Sequence, residues 1–208
     1  LNLRDGAQAL SYADKLLARE PEHNGAMHIK ARALGLAGDI AQQKLWYEKI
    51  ILKEPESLVA RDFLVGESIK QRSLAEARRL LKSWPKAQRE GGEYAMRILQ
   101  FAMAEEKWLD ARDALNRLSA IAPLGWREQL FNAQIFAGEG SVPAAIEAYK
   151  TVIELQPGYV AAYDELATVV DDANLMGVNQ WLAELIAKDA KNIPAVVMRA
   201  HLLERSGN

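Results

Sequence analysis

Histidine is the side chain best suited to moving protons or holding a metal near neutral pH, and this chain has three. Their spacing serves neither purpose. His23 stands beside Pro21 in a turn, and His28 and His201 fall in helical segments separated by most of the chain, so no two converge on one ion or one proton. Paired carboxylates are the next resource for acid–base work, and Glu105-Glu106 and Asp171-Asp172 supply two pairs. Neighbours in a helix point about 100° apart, so neither pair brackets a bond, and both read as solvated helix ends. Gly138-Glu139-Gly140 carries half of a phosphate-loop pattern, with no strand pattern before it and no lysine after it, and reads as a turn. The absence of cysteine excludes thiolate nucleophiles, thiolate metal sites and disulfides. The expectation is a protein that is not an enzyme, with no catalytic residue, no metal and no cofactor.

Binding surfaces are the chemistry that remains. Five tryptophans, Trp46, Trp84, Trp108, Trp126 and Trp181, could stack sugars or bases. Trp84 and Trp108 occupy or flank helix packing positions, and Trp46 and Trp181 lie beside them, which favours a packing role. A net charge of -2 lacks the basic excess that phosphate-backbone binding demands, so nucleic acid is not an expected partner. No run of eighteen apolar residues and no leader-like start is present, so membrane insertion is not expected, and the compartment stays open between cytoplasm and periplasm. The chain opens Leu1-Asn2-Leu3-Arg4 and closes Ser206-Gly207-Asn208, which reads as a piece of a longer protein.

What must position these residues is a pattern that recurs at a fixed interval. Ala145, Tyr149, Val152 and Pro157 repeat the spacing of Ala111, Leu115, Leu118 and Pro123, of Gln43, Tyr47, Ile50 and Pro55, and of Ala9, Ala13, Leu16 and Pro21. Pro21 and Pro55 lie 34 residues apart, as do Pro123 and Pro157, and Pro55 to Pro123 is two such intervals. The unit between holds Ala77, Leu81 and Trp84, with Arg89 in the proline slot. A sixth copy, Val178, Leu182, Leu185 and Ala190, fits with one residue lost around Asn174 to Gly177. Each copy follows another helical pattern whose spacings of three, four and seven place one row inward: Met27, Ala31 and Leu34; Ala95, Ile98, Leu99 and Ala102; Tyr163, Leu166, Ala167 and Val170; and Val196, Ala200 and Leu203. Turns such as Gly38-Asp39 and Gly138 to Ser141 join the two.

A 34-residue unit of two helices with a small residue, an apolar residue and a closing proline in fixed slots resembles the tetratricopeptide repeat over nearly the whole chain. It departs from the family pattern where a large aromatic is expected early in each first helix: Met27, Arg61, Ala95 and Gln129 stand there, and only Tyr163 keeps it. The resemblance implies an all-α fold, a right-handed α-solenoid of stacked antiparallel helix pairs, with about five full repeats and half-repeats at both ends. The whole of residues 1–208 reads as one domain of twelve helices: 5–19, 24–37, 39–53, 58–71, 73–83, 92–106, 108–120, 125–137, 142–155, 159–172, 175–188 and 193–206. Pro85 ends its helix at Trp84 and Gly91-Gly92 follows, so 85–92 is the expected hinge.

In proteins of this kind the first helix of each pair lines the concave side, which implies a non-catalytic scaffold holding a protein or peptide segment there. The residues so placed include His28, Arg32, Asp62, Met96, Gln100, Met103, Leu130, Gln134, Asp164, Thr168, Asp171 and His201, with Asp172 beside them. Apolar anchors would seat on Met96, Met103 and Leu130, and a basic end would meet Asp164, Asp171 and Asp172. The stripe has no Tyr or Trp, which disfavours sugar. The other readings are a scaffold of a bacterial envelope or polysaccharide secretion machine, and a spacer for an enzyme domain outside the chain. In the last helix Met198 and Leu202 are expected to be exposed on an uncovered side, making the C-terminal half-repeat a place for self-association.

Overall fold

The computed structural model describes residues 3–206, and side chains from Asp5 to Ser206. Leu1, Asn2, Gly207 and Asn208, which figure in the expectation of a longer protein, lie outside the described residues. Twelve α-helices and one 3-10 turn make up the described residues, with no strand among them. They fall into two compact units that divide after Glu105.

The unit that ends at Glu105 contains α1 (Leu3–Arg19), α2 (Asn24–Leu36), α3 (Ile40–Lys53), α4 (Leu58–Lys70), α5 (Leu74–Lys82), the 3-10 turn Lys86–Gln88 and α6 (Gly92–Ala104). The unit that starts at Glu106 contains α7 (Trp108–Ile121), α8 (Trp126–Gly138), α9 (Val142–Leu155), α10 (Val160–Val169), α11 (Leu175–Lys188) and α12 (Ile193–Arg205). The even-numbered helices are the first helices of pairs and the odd-numbered ones the second. Within each unit most consecutive helices pack on one another, and α10 packs on α9 and α12, because each has one apolar row that only a neighbour can cover. Leu17, Met27, Ala31, Tyr47, Ile50, Leu64, Val65 and Leu81 belong to one core; Ala145, Tyr149, Val152, Tyr163, Leu166, Val178 and Leu182 belong to the other.

Local chemistry sets the helix ends. Glu54, Ala122 and Gln156 each precede a proline, whose ring bars the helical conformation, and each has left it, with φ of -120°, -153° and -142°. His23 accepts from the Ala26 N–H at its Nδ1 (3.1 Å), so this histidine is a helix cap, and Asp39 caps α3 through the Gln42 N–H (3.0 Å). Four first helices close on a residue in the left-handed region: Gly38 (φ 80°), Arg72 (57°), Glu106 (59°) and Gly140 (76°), spaced at the 34-residue interval. A side chain there is strained, so Glu106→Gly should relieve about 1 kcal/mol of backbone strain against a smaller gain in unfolded-chain entropy. Its melting midpoint should rise by about 2 °C. A lower midpoint would show that the Glu106 side chain contributes more than its backbone costs.

Departures from the repeat pattern are met by glycines. Gln43 replaces the alanine of the second-helix slot, and its amide lies across Gly35, where any Cβ would overlap it. The Arg97 guanidinium likewise lies over Gly66, and the Trp108 indole over Gly138. Gly138 is therefore a seat for a ring, not part of a phosphate loop.

Two expectations are corrected. The tenth helix stops at Val169, not 172: Val170 turns to φ -62°, ψ 117°, and Asp171 then accepts from the Asn174 N–H (3.0 Å) and side-chain amide (2.5 Å). In α12 the inward row is Ala195, Met198 and Leu202, not Val196, Ala200 and Leu203. Met198 is 3% and Leu202 0% exposed, while Val196 is 41% exposed, so the predicted sticky side is buried. The cause is Asn192, itself buried, whose Oδ1 accepts from the Ala195 N–H (3.1 Å) while its Nδ2 donates to the Tyr163 hydroxyl (2.9 Å). Pinned there, α12 starts turned by one residue from the register that the lost position suggested.

Candidate functional site

In the unit that ends at Glu105, the faces of α4 and α6 carry a hydrogen-bonded cluster. Arg97 donates to both carboxylate oxygens of Asp62 (Nε to Oδ1 2.7 Å, a terminal N–H to Oδ2 2.8 Å) and through its other terminal nitrogen to Gln100 Oε1 (2.7 Å). A fork that meets both carboxylate oxygens fixes the guanidinium in plane, and Gly66 provides the floor on which it rests. Met96 and Met103 share the Gln100 face of α6 and are each half-buried. On α2, His28 Nε2 lies 3.1 Å from Glu54 Oε2, and Arg32 is exposed beside a cavity that it lines with Gly35, Leu36 and Gln43.

In the unit that starts at Glu106, the corresponding cluster centres on Glu165 of α10. Its Oε2 accepts from Gln134 Nε2 of α8 and from the Tyr149 hydroxyl of α9, both at 2.9 Å. Burial, with the neighbouring Glu165 charge second, pushes the Tyr149 phenol far above its ordinary value, so it remains a neutral donor. Thr168 donates to the Glu165 carbonyl (2.7 Å) and, with His201, lines an open groove between α10 and α12. Asp164, Asp172 and His201 are exposed, and Asp171 is occupied as a turn cap. Leu130 is 7% exposed and belongs to the core. Among the described residues no three of His, Asp and Glu gather as a metal-ligand set, and no helix is long and apolar enough to cross a membrane.

No family model matches the sequence, and no curated protein matches it. Solved structures do. A tetratricopeptide repeat protein from Parabacteroides merdae ATCC 43184 is 12% identical with a TM-score of 0.73, the match covering 97% of this chain and 80% of that one. YrrB, described as a TPR protein with an unusual peptide-binding site, is 15% identical with a TM-score of 0.57, over 90% of this chain and 97% of that one. MamA is 16% identical with a TM-score of 0.54, over 88% of this chain and 93% of that one. The chain has the tetratricopeptide-repeat fold.

Within that fold, sequence reasoning missed Arg97, Glu165 and Arg61. Arg97 and Glu165 sit one residue beyond the stripe of Met96 and Asp164, and they occupy the same column of the repeat, two intervals of 34 apart. That column is the signal that could have found them. Arg61 is buried, donating to the Pro55 carbonyl (2.7 Å), the Leu80 carbonyl (3.3 Å) and the Ser83 hydroxyl (2.6 Å). Tyr163, in the same column of the repeat as Arg61, donates to the Pro157 carbonyl (3.1 Å), six residues back as Pro55 is from Arg61. An arginine has taken over the polar task of that aromatic. Of the tryptophans, Trp84 alone is fully buried; Trp46 lies half-buried with the Lys30 and Lys49 ammonium groups 4.6 and 4.4 Å from its ring centre, and Trp126 packs on Tyr159.

Proposed function

We propose that this chain is a non-catalytic scaffold that binds a peptide or protein segment on the faces of its first helices left uncovered by second helices. The observation that carries the reading is the state of those faces. Their polar groups are held in place before any ligand arrives, by the Asp62–Arg97–Gln100 cluster in one unit and by Gln134, Tyr149 and Glu165 in the other. Groups already ordered lose little freedom on binding, which raises the affinity of an extended ligand for a given set of contacts. Met96 and Met103 supply adaptable, half-buried apolar surface beside the first cluster. The likeness to YrrB, described as having a peptide-binding site, supports the same class of ligand.

The test is selection of phage-displayed random dodecapeptides on the immobilised intact chain. Peptides should enrich over a blank surface, and the double variant Met96→Glu with Met103→Glu should retain at least about tenfold fewer of those that depend on the first unit, since each burial lost is on the order of 1 kcal/mol or more. Helix content by circular dichroism should be unchanged. No enrichment on the wild-type chain would sink the reading.

A further inference from the structure

We propose that Glu165 is a specificity residue that selects a ligand segment bearing an arginine or lysine side chain, an inference that rests on the peptide-binding reading above. Three carboxylates elsewhere in the chain have a cation of their own: Asp62 has Arg97, Glu139 has Arg112 and Glu105 has Arg78. Glu165 differs. Two helices, α8 and α9, converge on it, yet the donors they send, Gln134 and Tyr149, are neutral and both reach the same oxygen, Oε2. Among the described residues, none donates to Oε1 and no Lys or Arg pairs with the carboxylate. A partly desolvated charge without a counterion is unfavourable, and a cation arriving with a charge-assisted hydrogen bond to Oε1 removes that penalty.

The surroundings favour the same ligand. Residues 106–208 hold fourteen acidic against nine basic side chains, whereas residues 1–105 hold fourteen against seventeen. Of the cations on α12, Arg205 is engaged with the Ala167 and Val170 carbonyls (3.2 and 2.9 Å), and Arg199 makes no ion pair among the described residues. Asp164, the residue before Glu165, is exposed and adds to the negative potential that steers a basic segment. One turn further along α10, Ala167 and Thr168 open onto the groove of about 480 Å³ that Leu202 and His201 line from α12. That groove offers an apolar contact to a neighbouring side chain of the same segment. The ligand is therefore a peptide with a basic residue close to an apolar one.

Dodecapeptides selected on the intact wild-type chain should be enriched in Arg or Lys near an apolar residue. One such peptide, fluorescein-labelled, is then titrated against wild type and Glu165→Gln by anisotropy, alongside its own Arg-to-Gln or Lys-to-Gln analogue. Glutamine keeps an oxygen for Tyr149 and Gln134, so the melting midpoint should stay within about 2 °C of wild type. Each single change should weaken binding about tenfold, and the two together should lose little more than one alone, the signature of a direct pair. Fully additive losses, or enriched peptides with no basic preference whose affinity Glu165→Gln leaves alone, would overturn the assignment while leaving peptide binding intact. Failure of any peptide to enrich would remove the peptide-binding reading and this inference with it.

Discussion

Replacing Arg61 with alanine is expected to lower the stability of the unit that ends at Glu105 by about 2–4 kcal/mol, the range for a large buried side chain whose hydrogen-bond partners are left behind. Arg61 is 4% exposed, and its guanidinium joins three segments: the turn at Pro55, the end of α5 at Leu80, and the Ser83 cap. Burial depresses its pKa, yet an arginine keeps its charge in a folded protein, so its removal strips an ionic donor from the Pro55 carbonyl and leaves the Leu80 carbonyl with the Ser83 hydroxyl (3.0 Å). A tyrosine should restore much of the loss, because Tyr163 makes the corresponding bond to the Pro157 carbonyl. The measurements are thermal unfolding and amide exchange over residues 55–61 and 80–89, where Arg61→Ala should lose protection first. A midpoint within about 1 °C of wild type would show that water replaces the guanidinium at little cost.

The case of Arg61 also marks where sequence reading ends. Helix number and position follow from rows of apolar side chains at a constant 34-residue interval, which is a local property, and Ala77, Ala111 and Ala145 are all completely buried at the slots that interval names. Pairings across helices depend on which side chain reaches how far, and composition at a slot does not encode that. An arginine in an aromatic slot reads as a defect until the carbonyls around it are seen. Arg97 meeting Asp62 required Gly66 to be empty, and Glu165 meeting Tyr149 joined a second-helix core position to a first-helix face. The error in α12 has the same origin: a single buried side chain, Asn192, set the rotation of a whole helix, and the interval alone could not. The stripe that holds Asp171 depends on helix continuing to 172, and a helix end is decided by local capping that the Asp171–Asn174 bond supplies.

Trp84→Ala should be the most damaging single change in the same unit, at about 3–5 kcal/mol, and it bears on the proposed hinge at 85–92. Trp84 is 1% exposed, packs on Tyr94 at 5.4 Å between ring centres, and lies just past α5, which ends at Lys82 with Ser83 as its cap. Beyond it Pro85 is also buried, and the chain then forms only the single 3-10 turn Lys86–Gln88 before α6 begins at Gly92. Arg89, standing where other repeats have proline, donates to the Trp84 carbonyl (3.1 Å) and the Lys82 carbonyl (2.7 Å), so the segment is held by one ring from inside and one guanidinium from outside. The ring holds it more strongly than the guanidinium does, because it removes a large apolar area from water. Among the described residues the Trp84 indole N–H has no acceptor, so phenylalanine gives up area without breaking a hydrogen bond, and Trp84→Phe should lose less than half as much as alanine. With the ring gone, the exposed Lys86-Ala87 bond should be the first internal site cut by trypsin, at least about tenfold faster than in wild type, because cleavage follows the population of the opened segment. If Trp84→Ala lowered the global midpoint but left first cleavage elsewhere, the 85–92 stretch would be melting together with its unit rather than bending as a joint.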